Sequence, residues 1–337
     1  MTAYRAPEQD VILSSRVRLA RNYQDVPFVS KMNTEWADET IARASDAVMD
    51  DSEYVLHRIL TLSDSERKRL VEHHLVSYDL LKFEAYSAAL VSSGKTISIM
   101  VNEEDHLRIQ GLLPGEQLAK AADLAFSADE KLGATHPFAF DEQWGYLTGC
   151  PTNTGTGMRA SLMMHLPALS ASGKLSELLQ AFSKLGLTVR GLYGEGSEAK
   201  GHLYQLSNQV TLGRSEEDMI EALMAAASQI ADRERTIREK IKQHDEMQML
   251  DKLMRSVGLM GHARLMDGAE FMQRYSDLRT LGAMGIVNAD LSALDQLMMD
   301  LQPGSLNVRA GGNLSEHGQR TLRAELLRQY IETVAAT

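Results

Sequence analysis

The chain has 337 residues, 44% of them hydrophobic, enough to bury a large core in one large domain or two. Its net charge of -11 argues against general nucleic-acid binding, where a basic face dominates affinity, and its single cysteine, Cys150, excludes an intramolecular disulfide and a multi-thiolate zinc site. The opening MTAYRAPEQD carries no apolar signal region and no run of about 18 uninterrupted apolar residues follows, so a cytoplasmic protein without a membrane partner is expected.

The first predicted strand, Val11–Leu19, overlaps ILSSRVRLARN (Ile12–Asn22), and a period of two puts Val17 and Leu19 on one face with Arg16 and Arg18 on the other. Such a pair marks either a solvated face or an anion site, because two guanidinium forks that keep their protons repel each other unless something negative lies between them. A second strand, Thr96–Asn102, runs into VNEEDHLR, with Glu103, Glu104 and Asp105 at its end and Arg108 shortly after. Three consecutive carboxylates suit a solvated turn or a divalent cation, which takes oxygen ligands. A helix is predicted over Glu116–Phe126 and a strand over Phe138–Thr148. In CPTNTGTGMRAS (Cys150–Ser161) glycines would let backbone approach a ligand closely, with Arg159 just beyond. Its GTGMRA satisfies a dinucleotide-binding pattern, but Pro151 interrupts the approach, no acidic residue ends a second strand about 20 residues later, and the Lys and Ser/Thr of a P-loop are absent. A helix over Leu175–Leu185 precedes a strand, Leu187–Tyr193, which leads into VRGLYGEGSE with Arg190 at the strand end and Glu195 in the glycine-rich loop; Leu203–Leu212 is the last predicted strand.

The pattern changes near residue 215. Ser215–Asp218 (SEED) is a helix start, and Ile220, Leu223, Ile230, Ile237 and Ile241 follow at helical spacing to His244 or beyond. Further helices are predicted over Glu270–Leu281, Leu291–Leu301 and Ser315–Val334, and many of the 18 methionines fall in this part as core filling. The expected organisation is a mixed α/β catalytic domain over 1–240 and a helical domain over 245–337.

The strand ends of the first domain thus deliver Arg16, Arg18, Arg108, Arg159 and Arg190, together with Glu104, Glu195 and Cys150. Such guanidinium groups suit a polyphosphate and would stabilise a phosphoryl group in transfer, with Mg2+ bridging its oxygens. Carboxylates beside them would repel a phosphate acceptor and suit a cationic one.

The ordered motifs SSRVRLARN, NEEDHLR, CPTNTGTGMRAS and RGLYGEGSE resemble those of the phosphagen (guanidino) kinases, and within that superfamily the bacterial protein-arginine kinases. The resemblance spans roughly residues 11–215. It implies an α+β catalytic domain, an antiparallel sheet flanked by helices, followed by a helical dimerisation domain. It also implies a protein-arginine kinase that uses ATP and Mg2+, acts on arginine-containing proteins, forms a homodimer and leaves room for an activating partner. ATP contacts are implied for Ser14, Ser15, Arg16, Val17 and Arg18, for His74 in VEHHL, for Arg108, for Arg159, Ala160, Ser161, Leu162 and Met163, and for Arg190, Gly191, Leu192, Tyr193, Gly194 and Glu195. Glu104 and Glu195 would contact the substrate guanidinium, with Cys150 beside the acceptor; no residue set is assigned to a metal in its own right.

A guanidinium, with a pKa above about 12, is a poor nucleophile at neutral pH, so something must orient and partly deprotonate it. Glu104 is the expected base and Glu195 the partner fixing the acceptor plane; Cys150 is either a small buried hydrophobe or a thiolate orienting the cation. Much of the acceleration would come from aligning two bound substrates, worth about 7–11 kcal/mol. The family's R-D-x-x-R-A motif of the helical domain, a phosphoarginine pocket, corresponds here to QRTLRA, where only Arg323 and Ala324 match; Arg320, Arg323 and Arg328 therefore read as an exposed helix face. Two other readings stay open: a small-molecule guanidino kinase and a non-catalytic nucleotide-binding regulator. Against the first, only a short segment precedes Val11 where that branch carries a helical N-terminal domain, so poor turnover of free arginine is expected.

Overall fold

The computed structural model describes residues 6–49, 53–191 and 199–335. In chain order its elements are β1 (Ile12–Arg21), α1 (Thr34–Val48), β2 (Tyr54–Arg58), α2 (Asp64–Glu72), β3 (Ala88–Ser92), β4 (Ile97–Val101), β5 (Leu107–Pro114), α3 (Leu118–Thr135), β6 (Phe140–Asp141), β7 (Gly145–Tyr146), β8 (Met158–His165), α4 (Pro167–Ala171), α5 (Leu175–Ser183), β9 (Leu187–Gly191), β10 (Leu203–Asn208), α6 (Glu216–His262), α7 (Gly268–Ala283), α8 (Leu291–Asp300), α9 (Pro303–Ala310) and α10 (Glu316–Ala335).

Eight strands form one sheet in the order β2-β3-β4-β5-β1-β8-β10-β9, every pairing antiparallel, with β1 at its centre between β5 and β8. The alternation along β1 decides which face is covered. Val17 and Leu19 are fully buried, and opposite them lie Gly111 and Ile109 of β5 and Ala160 and Met158 of β8. This apolar face packs against α1, α3, α5 and the first part of α6 in one core that includes Ile41, Ala125, Phe182, Leu223 and Ile230. Gly111 is a place where only glycine fits, since a Cβ there would lie 2.1 Å from the Ala121 carbonyl oxygen of α3.

The caps explain where helices begin. Asn33 accepts from the Trp36 amide at the start of α1, Ser63 and Glu66 form a reciprocal capping box on α2, and Ser215 accepts from the Asp218 amide at the start of α6. Glu216, Glu217 and Asp218 fill the first turn of α6, where the helix dipole favours negative charge.

Several expectations are corrected. Phe138–Thr148 is a hairpin of two very short strands, β6 and β7, not one strand, because Asp141 accepts from the Gln143 and Trp144 amides and turns the chain. The strand expected to reach Leu212 ends at Asn208, whose side chain leaves the ladder to bond the Ala160 amide and the Met158 and Val210 carbonyls. Helix α6 continues beyond His244, as expected, and its 47 residues carry the chain through the expected border at 240–245. Its start belongs to the sheet core, whereas Met260 belongs to a second core formed with Phe271, Tyr275, Leu294, Leu306 and Leu327 of α7–α10. That second core also takes in Leu13 and Leu203, so the C-terminal helices pack on the sheet itself. Arg320, Arg323 and Arg328 do not form an exposed face: Arg323 is buried, donating to the Leu301 and Met266 carbonyls, and Arg328 donates to the Ala263 carbonyl. No helix among the described residues is long and apolar enough to cross a membrane.

Candidate active site

The opposite face of the sheet gathers the arginines. In antiparallel pairing directly opposed residues share a face, and Arg18 opposes Gln110 on β5 and Arg159 on β8. Along the same face Ala20 opposes Arg108, Arg16 opposes Ser161, Ser161 opposes Ser207, and Gln205 opposes Arg190. Arg16, Arg18, Arg108, Arg159 and Arg190 therefore lie on one face. Arg190 lies at the end of β9 as expected, Arg108 and Arg159 lie one residue inside the starts of β5 and β8, which run through segments read as loops, and Arg16 and Arg18 lie in the middle of β1. A cleft of about 330 Å3 is lined by Arg18, Arg108, Arg159 and Arg190 together with Glu104 and Cys150.

Its electrostatics are those of a site awaiting anions. Burial and the neighbouring Arg108 lower the Arg16 pKa to about 10. Burial, then Arg16 and Arg108, push Arg18 well below the usual guanidinium range, and its buried Nε has no hydrogen-bond partner. Arg16 is tethered to Gln205 Oε1 at 2.9 Å, and Arg159 to Asn153 Oδ1 at 2.9 Å and to Thr152. Among the described residues Arg108 alone of this cluster is paired with a carboxylate: Glu103 bonds it through both oxygens and also accepts from the Ser77 hydroxyl.

The three consecutive carboxylates thus have three different surroundings, where the sequence left a solvated turn and a cation site both open. Glu103 is buried on Arg108. Asp105 is buried and accepts from Asn22 Nδ2 at 2.7 Å and the Gly149 amide at 2.5 Å; burial nevertheless raises its pKa. Glu104 alone is exposed, at the cleft, and accepts from Asn153 Nδ2 at 3.4 Å. The same turn fixes Cys150. A Cβ on Gly149 would come 2.7 Å from the Glu104 carbonyl oxygen, so glycine permits this close approach, and Cys150 follows with Sγ 3.1 Å from Thr152 Oγ1. The glycines of GTG serve the protein's own chain. Gly157, with φ +66°, leaves room for Arg21 and the Ala20 carbonyl, and Gly155 leaves room for the Thr211 carbonyl.

Beyond Arg16 the same face opens into a second cavity of about 350 Å3, lined by Ser14, His74, Met163 and Leu112 among others. His74 ends α2 in a left-handed conformation, φ 58°, with its carbonyl accepting from Gln110 Nε2 at 2.7 Å. Burial and the adjacent Arg16 lower its pKa to about 4. Other expected contacts are not on this face. Val17, Ala160 and Leu162 are buried in the core behind the sheet, and Ser15 is buried with its hydroxyl donating to the Gly115 carbonyl. Gly191 ends β9, while Leu192, Tyr193, Gly194 and Glu195 lie outside the described residues. Residues that the sequence reading passed over also line the cleft: Asp79, Asn153, Thr188, Gln205 and Ser207. Gln205 and Ser207 were reachable by applying the period of two to β10.

Among the described residues no three His, Cys, Asp or Glu side chains converge as a metal cage. The cleft instead holds the carboxylates of Glu103 and Glu104 beside the arginine-bearing face, the kind of sparse oxygen set with which Mg2+ is held when phosphates supply its other ligands.

Comparison with known proteins follows this geometry. A family model described as ATP:guanido phosphotransferase, C-terminal catalytic domain, matches residues 36–237, and one described as Protein-arginine kinase McsB C-terminal domain matches residues 246–337. The chain is 43% identical to a protein-arginine kinase of Caldanaerobacter subterraneus subsp. tengcongensis, over 97% of each chain. It is 40% identical to a protein-arginine kinase of Bacillus subtilis, over 97% of this chain and 92% of that one. Among solved structures it is similar to a lombricine kinase, with TM-score 0.60 and 23% identity over 69% of this chain and 68% of that one. It is also similar to the duplicated taurocyamine kinase from Schistosoma mansoni with bound transition state analog components, with TM-score 0.61 and 23% identity over 76% of this chain and 38% of that one. These two likenesses concern the fold.

Proposed function

Because the chain belongs to the ATP:guanido phosphotransferases, in the branch of the protein-arginine kinases, we infer that it transfers the γ-phosphoryl group of ATP to the guanidinium of arginine side chains in proteins. The observation that carries this reading is the alignment of Arg16, Arg18, Arg108, Arg159 and Arg190 on one sheet face, with the free carboxylate of Glu104 at its edge.

The triphosphate would lie along that face. Ser14 is four residues from Arg18, roughly 14 Å along an antiparallel strand, a span over which a nucleotide with its phosphates on Arg18, Arg108, Arg159 and Arg190 reaches Ser14, His74 and Met163 with its adenosine. The arginines repel one another while the face is empty, so the phosphates relieve a cost already built into the fold, and the preorganised donors need not rearrange as charge spreads in transfer. Mg2+ bound with ATP would supply neutralisation of phosphate charge, and Glu103 and Glu104 are the carboxylates that would hold it or its waters.

The acceptor guanidinium would meet Glu104, whose carboxylate orients it by paired hydrogen bonds and takes the proton it releases on attack. Glu195 is proposed as the second carboxylate fixing the acceptor plane, and Cys150 as the group beside it. Residues 1–240 would form the catalytic unit and 245–337 the helical unit, joined by α6. A homodimer is proposed through that helix: Met247 is 79% exposed and Met254, seven residues on and so close to the same side, 45%. A cytoplasmic location and an activating partner belong to the same proposal. The test is steady-state transfer from labelled ATP to an arginine-rich protein and to free arginine at matched guanidinium concentration. Acid-labile label, faster on the protein, is expected; faster turnover of the free amino acid would overturn the assignment.

A further inference from the structure

The cavity beyond Arg16 is closed on its far side by the C-terminal helices. Its sheet side is made by Ser14 and Met163, one flank by His74, and the wall facing them by Gln296, Met298 and Met299 of α8. The approach of α8 is fixed by polar contacts. Glu72, two residues before His74, accepts from the Gly304 and Ser305 amides at the start of α9, at 2.7 and 2.8 Å, and His73 Nε2 lies 3.4 Å from Asp300 at the end of α8. Tyr275 and Arg279 of α7 hold Asp295 on α8 at 2.6 and 2.8 Å, and Arg279 also donates to the Gln9 carbonyl just before β1. The wall is therefore built against the sheet, and its composition suits an aromatic base: thioether sulfurs make favourable contacts with rings. Gln296 donates from Nε2 to Asp300 at 3.1 Å, which leaves its amide oxygen as an acceptor.

We propose that α8 is part of the nucleotide site: Met299 and Gln296 contact the adenine of ATP, so bound ATP bridges the catalytic sheet and the C-terminal helices. The proposal rests on the placement of adenosine argued above. It makes the helical segment a determinant of nucleotide affinity and of base choice, because an acceptor at Gln296 matches the exocyclic amine of adenine and repels the carbonyl at the same position of guanine.

Equilibrium titration of the full chain with ATP, GTP and inorganic tripolyphosphate tests it. Met299→Trp fills the cavity from the helical side and is expected to weaken ATP about 10-fold or more, equivalent to about 1.4 kcal/mol, with tripolyphosphate affinity unchanged. Gln296→Ala, on an exposed side chain, should shrink the ATP-over-GTP preference. Met163→Trp fills the same cavity from the sheet and reports on the adenosine placement alone. If Met163→Trp weakens ATP while Met299→Trp and Gln296→Ala leave ATP and the ATP/GTP ratio as in the parent, the role of α8 is refuted and the placement stands. If none of the three affects ATP, both are refuted. Should Met299→Trp lose ATP and tripolyphosphate together, the base preference of Gln296→Ala decides: an unchanged ratio overturns the proposal and a reduced one supports it.

Discussion

Glu103 holds both of its carboxylate oxygens 2.6 Å from Nη1 of Arg108. Arg16 and Arg18 have no such partner among the described residues: Arg16 bonds Ser161 and Gln205, and the buried Nε of Arg18 has no hydrogen-bond partner. One cleft thus combines a neutralised arginine with strongly repelling ones. Three adjacent carboxylates divide accordingly: Glu103 balances the cleft, Asp105 ties its loops together, and Glu104 stays exposed at the cleft.

Glu103→Gln should therefore act on the fold and on the site at once. The carboxylate is 2% exposed and makes charged hydrogen bonds to Arg108 and Ser77, so a loss of about 1.5–3 kcal/mol of stability is expected. Urea unfolding followed by circular dichroism measures it. Stability equal to the parent would mean that the pair contributes nothing net.

Glu104→Gln should separate chemistry from folding. Its side chain is exposed and, among the described residues, bonded by one long contact from Asn153, so thermal stability should match the parent and ATP should still bind. The chemical step should fall about 100-fold or more, as expected for a positioned general base. Single-turnover transfer at saturating ATP checks this, and near-normal rates would remove Glu104 from the proposed mechanism. Cys150→Ser should lower the same rate without abolishing it.

His74 gives a pH signature. Its folded pKa of about 4 lies below the ordinary value of 6.5, with burial and Arg16 as the causes. Between those values the unfolded chain binds a proton that the folded chain does not, so this group's contribution to stability is lost as pH falls from 6.5 towards 4 and is constant above that window. His57, His106 and His202 are lowered by burial too, so the difference between parent and His74→Gln is the informative quantity. The variant should lose less stability over that range. Tripolyphosphate, by neutralising Arg16, should raise the titration midpoint of the His74 ring in proton NMR; a midpoint near 6.5 with and without the anion would contradict the close pairing with Arg16.

The proposed dimer predicts that Met247→Glu combined with Met254→Glu yields a monomer by light scattering, since a charge placed in an apolar contact must be desolvated without a partner. A parent chain that is already monomeric would refute the dimer, and a double variant that remains dimeric would move its interface away from this part of α6.

Local alternation was enough to establish that Arg16 and Arg18 of SSRVRLARN share a face opposite to that of Val17 and Leu19, because in a strand the side-chain period is set by the backbone of that strand alone. The Ser215 cap was legible for the same reason: its bond closes within one helical turn. Motif order likewise pointed to the family without any tertiary information. Where Arg108 and Arg159 belong was not legible locally. They join Arg16 and Arg18 through the registers of β5 and β8 on either side of β1, and register is decided by burying one whole face against α3 and α6, a contact between segments far apart in the chain. Arg323 illustrates the same limit in the helical part. Its neighbours in sequence suit an exposed face, and it is buried where it donates to the Leu301 carbonyl at the end of α8 and the Met266 carbonyl in the link between α6 and α7. The division of labour among Glu103, Glu104 and Asp105 is likewise tertiary, since consecutive carboxylates are chemically alike until Arg108, Gly149 and solvent each take one of them.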